Sequence, residues 1–161
     1  MKILLAIVVV TGIAIGLAVP VAKGPAPAAV AATTTGPPED KPVDTVLERT
    51  GRGHFLAVAD VNGEPIRFVV DTGADTVALT MEDARRAHVA FDPSQFEVVG
   101  RGAGGDVRGE EIHIDNIVLD GKRATNVSGV VLEGADVSLL GHTYLRRLSN
   151  VQIKGDQMIL R

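Results

Sequence analysis

The sequence predicts an all-β domain, a closed or folded-over β barrel with two short helices. Three observations carry this. From residue 51 onward, six or more short apolar runs alternate with turn signals. The composition is 45% hydrophobic but only 3% aromatic, with 18 glycines, which suits small aliphatic packing and frequent turns better than a helical bundle. Between two of the runs lies Asn62-Gly63, the dipeptide that best supplies the two positive φ angles of a type I′ hairpin turn.

Taken in order, the chain reads as three stretches. After Lys2, residues 3–22 are free of charge, and at about 1.5 Å rise per residue a helix of that length could cross a hydrocarbon core of about 30 Å. Residues 1–22 are therefore expected to be an N-terminal transmembrane anchor or a signal segment, for which Ala26-Pro27-Ala28 offers an A-x-A-like cleavage site. As an anchor, Lys2 would stay in the cytoplasm and the rest of the chain would lie in the periplasm or extracellular space; cleavage would make the protein secreted. Residues 23–50 form a Pro/Ala-rich linker: residues 20–50 hold six of the eight prolines and show no apolar periodicity. The folded domain is assigned to residues 51–161.

Within that domain, residues 54–61 and 66–70 make a hairpin across Asn62-Gly63. Val77-Ala78-Leu79 gives a further strand. Thr80 then caps a short helix over residues 81–88, whose first turn carries Glu82 and Asp83, and Pro93 prevents any continuation. Residues 95–99 run into the glycine-rich stretch 100–105, and the alternation of Ile112 and Ile114 with Glu111, His113 and Asp115 marks the returning strand of a hairpin. Asp120-Gly121 turns the chain into a strand over 126–132. Residues 137–140 form another apolar run, residues 141–148 a short helix, and residues 151–153 and 158–160 a last pair of strands.

Charge and residue types exclude several function classes. The net charge is −4, and from residue 50 onward twelve Lys/Arg face sixteen Asp/Glu, whereas phosphate binding needs a basic face; no nucleic-acid partner is expected. The absence of cysteine removes disulfides, thiolate nucleophiles and cysteine-ligated zinc. His54, His88, His113 and His142 lack metal-ligand spacing, so no metal is expected. Residues 100–105 lack the Lys-Ser/Thr of a phosphate-binding loop. Arg85-Arg86 and Arg146-Arg147 read as solvated helix faces, and Asn126-Val127-Ser128 as a chance glycosylation tripeptide.

One motif carries chemistry. Residues 68–76 read Phe68-Val69-Val70-Asp71-Thr72-Gly73-Ala74-Asp75-Thr76, an apolar strand opening into Asp-Thr-Gly. Two carboxylates held close together cannot both ionise; they share one proton, so one acts as base toward water while the other donates to a carbonyl. A glycine after Asp-Thr permits the sharp loop that presents the acid, and the hydroxyl between them can tie the loop down.

With Leu139-Leu140-Gly141 preceding a helix further along, residues 71–77 resemble the signature of the retropepsin-like aspartic proteases (clan AA), in style the bacterial membrane-anchored members. The similarity covers residues 51–161. It implies an aspartic endopeptidase that hydrolyses peptide bonds with an activated water and no cofactor. Asp71 would be catalytic, Thr72 would brace two active loops against each other, and Gly73 would present backbone to substrate. Residues 101–105 would be a flap closing over the peptide, so that Ala74, Asp75, Gly102, Ala103, Gly104 and Gly105 are the candidate substrate-binding residues; Asp75 could instead anchor a dimer. No second Asp-Thr/Ser-Gly exists: Asp120-Gly121 lacks the hydroxyl and Asp136-Val137-Ser138 the glycine. One chain therefore holds half a site, completed most economically by an isologous homodimer in which two copies of Asp71 meet. By analogy with the viral enzymes, residues 157–161 would join the dimer sheet. Where those enzymes commonly carry arginine after the glycine, this chain has His142, and pairing with Asp75 would then weaken above about pH 6.5. The competing readings are a catalytically silent peptide-binding module on the same barrel and a structural envelope domain.

Overall fold

The computed structural model describes residues 41–102 and 105–161. The hydrophobic stretch 3–22 and the linker up to residue 40 lie outside the described residues. Among the described residues no helix is long and apolar enough to cross a membrane.

The Asn62-Gly63 hairpin forms as the dipeptide dictates, with φ of 54° and 94°, joining β2 (Phe55–Val61) to β3 (Glu64–Val70); β1 (Thr45–Glu48) precedes them. Inward residues alternate along both arms: Phe55, Ala57, Ala59 and Val61 on β2, Ile66, Phe68 and Val70 on β3. Next come β4 (Val77–Thr80) and helix α1 (Met81–Arg86), capped by the Thr80 hydroxyl, which accepts the Asp83 N–H at 3.0 Å. His88, at φ 54°, takes the chain out of the helix before the expected end. A 3₁₀ turn follows at Pro93–Gln95.

The glycine-tipped hairpin is β5 (Glu97–Gly102) and β6 (Gly105–Leu119), the latter running 15 residues to a turn at Asp120-Gly121, both with positive φ. β7 (Lys122–Leu132) returns along β6 for its full length. The chain ends with β8 (Ser138–Leu140), α2 (His142–Leu145), β9 (Val151–Lys154) and β10 (Gln157–Leu160).

Six strands close a barrel in the order β2-β3-β8-β4-β7-β6, sealed by the pairing of Asp60 and Val61 of β2 with Val118 and Ile117 of β6. The all-β barrel with two short helices is thus as expected, and β5 extends β6 outside the ring. Phe68, Ile66, Leu79, Ile114, Ile117, Val127, Leu140 and Tyr144 fill the interior, fully buried, each contributing about 1.5–3 kcal/mol by leaving water. The separate three-stranded sheet has the order β1-β10-β9 and covers the core with Met158 and Leu160.

The domain boundary at residue 51 needs correction. Thr45–Glu48, within the stretch assigned to the linker, pairs antiparallel with β10 from Thr45↔Leu160 to Glu48↔Gln157. Composition hid this strand because four residues against one neighbour need no long apolar run; Thr45 and Leu47 face inward while Val46 and Glu48 face solvent. It is also held by polar contacts. Buried Lys122 donates from Nζ to the Val43 carbonyl and, at 2.8 Å, to Thr45 Oγ1, while Arg161 Nε meets Asp44 Oδ2 at 2.8 Å. Burial holds the Lys122 ammonium below its usual pKa, opposed by the nearby Asp120 and Asp44 carboxylates.

Candidate active site

The position of Asp71 follows from a crossing of chains. β8 lies between β3 and β4, parallel to the first (Val70↔Leu140) and antiparallel to the second (Ala78↔Leu139). The chain leaving β3 must therefore loop over the end of β8 before returning as β4, and residues 71–76 are that loop. Its backbone is tied to the crossing strand and the helix after it: the Asp71 N–H donates to the Leu140 carbonyl at 3.2 Å, and the His142 N–H to the Ala74 carbonyl at 2.9 Å.

Inside the loop, the Gly73 N–H donates to Asp71 Oδ1 at 2.8 Å and the Ala74 N–H to the Asp71 carbonyl at 3.3 Å. The carboxylate, half-buried, is thereby oriented by its own loop with Oδ2 left for chemistry. A Cβ on Gly73 would approach Asp71 Oδ1 to 3.3 Å, so the missing side chain keeps the acid's surroundings open. Thr72 and Gly73 are exposed. Among the described residues, the Thr72 hydroxyl has no hydrogen-bond partner within its own chain.

Gly141 has a stricter reason to be glycine than the sequence alone disclosed. A Cβ there would stand 2.1 Å from the Thr76 carbonyl oxygen and 2.8 Å from that of Ala74. The Leu-Leu-Gly element is thus the place where the helix start passes directly against the aspartate loop. Two supporting hydroxyls went unread in the sequence. Thr143 Oγ1 accepts the Val77 N–H at 2.9 Å and lies 3.4 Å from Thr76 Oγ1, which itself donates to the Ser128 carbonyl at 2.9 Å. Fully buried Ser138 accepts the Thr80 N–H at 3.1 Å and donates to Asp83 Oδ2 at 2.6 Å. The available signal was a hydroxyl within an apolar segment, which a buried site tolerates only when bonded.

The remaining candidates divide. Gly102 and Gly105 pair across the end of the β5–β6 hairpin, and Arg101 Nε meets Asp106 Oδ1 at 3.1 Å beside them. Ala103 and Gly104 fall outside the described residues. Asp75 is exposed and Ala74 half-buried. The expected ion pair of Asp75 with His142 is absent within the chain: both side chains are exposed, and His142 engages the loop through its backbone N–H instead. The C-terminal strand also departs from expectation. β10 is flanked by β1 on one side and β9 on the other, so it has no free edge for a partner's strand.

Two of the clefts among the described residues lie beside the strands that frame the loop. One, of about 500 Å³, is walled by Leu56, Val69 and Val137 and rimmed by Arg52 and His54; Val69 stands two residues before Asp71. The other, of about 270 Å³, joins Thr76 and Thr143 to Val99 of β5, linking the end of the aspartate loop to the base of the hairpin.

A closed six-stranded barrel with one Asp-Thr-Gly loop over a crossing strand defines the single-lobed aspartic protease class. Comparison with known proteins gives the family: residues 57–147 match the family model described as "gag-polyprotein putative aspartyl protease". The chain belongs to this retropepsin-like family. It is similar to the crystal structure of a retropepsin-like aspartic protease from Rickettsia conorii, at 34% identity and a TM-score of 0.61 over 73% of this chain and 89% of that one. Two further relatives are 35% identical over 73% of this chain: uncharacterized protein RP867 of Rickettsia prowazekii (strain Madrid E) and an uncharacterized protein of the cobV 5′ region of Sinorhizobium sp.. The match spans 51% and 52% of their lengths, so the chain covers about half of each.

Proposed function

We propose that the protein is an aspartic endopeptidase in which two chains each supply one Asp71. The observation that carries this is the single Asp-Thr-Gly loop, bonded into shape on the crossing strand yet presenting its carboxylate and Thr72 to the outside. Brought together, the two carboxylates share one proton. The ionised one takes a proton from a water between them as that water's oxygen bonds to the peptide carbonyl carbon. The protonated one gives its proton to the carbonyl oxygen. The tetrahedral adduct then collapses: its C–N bond breaks as the nitrogen accepts the proton that the first carboxylate took from water, while a hydroxyl of the adduct returns its proton to the other carboxylate, releasing a carboxylic acid and an amine and restoring the shared proton. Gly102 to Gly105 serve as the flap that excludes water, and the apolar cleft at Leu56, Val69 and Val137 receives a side chain of the peptide.

Residues 3–22 are proposed to hold the domain at a bacterial membrane, on the periplasmic or outer side. Confinement to one membrane raises the local concentration of the half-sites. The test is cleavage of a mixed peptide library between pH 4 and 7 by the full chain and by Asp71→Asn. The intact chain is expected to cut and the variant to lose at least about a thousandfold in rate; cleavage surviving Asp71→Asn refutes the aspartic mechanism, and peptide binding without cleavage by either protein favours the silent module.

A further inference from the structure

A cavity of about 240 Å³ lies beside the start of β1, walled by Pro42, by Lys122 and Arg123 at the head of β7, by Arg147 and Ser149 after α2, and by Arg161 after β10. Four of these six carry positive charge, and among the described residues no wall of the cavity is acidic. The chain as a whole is acidic, at −4, so the cavity is not a sample of a generally basic surface. The two carboxylates that act on Lys122 are already engaged: Asp44 takes Arg161 Nε at 2.8 Å, and Asp120 takes the Thr45 hydroxyl.

The cations are held in place yet keep donors free. Buried Lys122 uses two of its three N–H groups, on the Val43 carbonyl and Thr45 Oγ1. Of the five N–H groups on each guanidinium, Arg147 uses two, on the Thr125 and Asn126 carbonyls, and Arg123 one, on Asn116 Oδ1. Those acceptors are neutral, so they fix the two forks without cancelling their charge. Gathering like charges around one cavity is repulsive, and an anion among them removes the repulsion.

We infer that this cavity binds a phosphate group, free or on the headgroup of an anionic lipid. The several oxygens of a phosphate can take more than one guanidinium fork at once, whereas the two of a carboxylate fill one. The volume lies below the roughly 300–1,000 Å³ of sites for drug-sized ligands, which suits a phosphate with little attached to it. Pro42 stands twenty residues beyond the hydrophobic stretch 3–22, close enough for the cavity to meet headgroups when that stretch is in a bilayer. The site is independent of the paired-Asp71 reading, since Asp71 is not one of its walls. A phosphate bound there joins the approach to β1, the head of β7 and the segment after α2, and so stabilises the folded state as it fills the cavity.

The first probe is sodium phosphate, added to the full-length protein in neutral detergent at constant ionic strength, with the melting midpoint read by circular dichroism. The midpoint should rise and saturate; at ten times the dissociation constant the folding constant gains about elevenfold, a rise of roughly 5 °C. Arg123→Glu should abolish the rise, whereas Arg67→Glu, the same charge change on the exposed face of β3, should keep it. Ser149→Asp sets a carboxylate among the cations; it should melt no lower than wild type without phosphate and no longer respond to it. Reconstitution in phosphatidylcholine vesicles with and without phosphatidylglycerol, in phosphate-free buffer, separates the two sources. A midpoint raised by phosphatidylglycerol, and not in Arg123→Glu, assigns the lipid; a midpoint raised by phosphate alone assigns the free ion. A rise that both Arg123→Glu and Ser149→Asp leave whole is the general effect of phosphate on any fold and overturns the site, as does the absence of a rise in both media.

Discussion

Replacing Gly141 by alanine puts a methyl carbon 2.1 Å from the Thr76 carbonyl oxygen, where real contacts stay beyond 3.0 Å. The obstructing atoms are backbone on both sides, so no side chain can swing away; a gap of roughly 1 Å must open between the helix start and the aspartate loop. Overpacking of this kind costs about 1–3 kcal/mol. The same displacement strains the His142-to-Ala74 bond of 2.9 Å and the Val77-to-Thr143 bond of 2.9 Å, each worth about 1 kcal/mol. The expected loss is therefore about 3–5 kcal/mol, a large share of the roughly 5–15 kcal/mol that holds an ordinary domain together. In urea, at a slope of about 2 kcal/mol per molar, the unfolding midpoint should fall by roughly 1.5–2.5 M. Gly51→Ala is the control: a Cβ there meets nothing within 4 Å, and its midpoint should stay or rise slightly. A Gly141→Ala midpoint within about 0.3 M of wild type would refute the claim that the two segments are locked in contact.

Ser138→Ala should cost about 1–3 kcal/mol, because the Thr80 N–H loses its buried acceptor; chemical denaturation reads it, and a neutral result would mean that the N–H finds another partner. Tyr144 donates from its buried hydroxyl to the Lys122 carbonyl at 2.8 Å, and burial raises its pKa above the usual 10.0. A raised pKa means that the folded state holds the proton more tightly, so this contribution is full below pH 10 and is lost as pH climbs through the folded value. Tyr144→Phe should accordingly be less stable at neutral pH and show a shallower alkaline decline than wild type, measured as midpoint against pH. Removing residues 1–50 takes away β1 and the partner of Lys122 Nζ, whereas removing 1–40 leaves both; thermal melting should separate the two truncations by about 10 °C or more, and equal melting temperatures would show that β1 is dispensable.

Local signals disclosed most of the strands and the chemical centre. Asn62-Gly63 and Asp120-Gly121 announced their hairpins because positive φ is a property of the residue itself. The Asp-Thr-Gly stood out because an acid, a hydroxyl and a glycine after an apolar strand have a mechanical purpose together. What stayed hidden depends on partners distant in sequence. β1 is a strand only because Leu160 and Met158 lie beside it. Thr143 and Ser138 matter only because the crossing strand brings them under Val77 and Thr80. The Asp75–His142 pairing failed for the complementary reason: adjacency in a motif does not fix where exposed side chains point.

The crossing of β8 between β3 and β4 also sets an order of events during synthesis. The loop bearing Asp71 is anchored by residues 138–143, made some seventy positions later, while its own bonds from the Gly73 and Ala74 N–H groups are local. Contacts of such separation form late, after long loops have closed. A nascent chain therefore carries its aspartate in an incompletely shaped loop until the barrel is nearly complete.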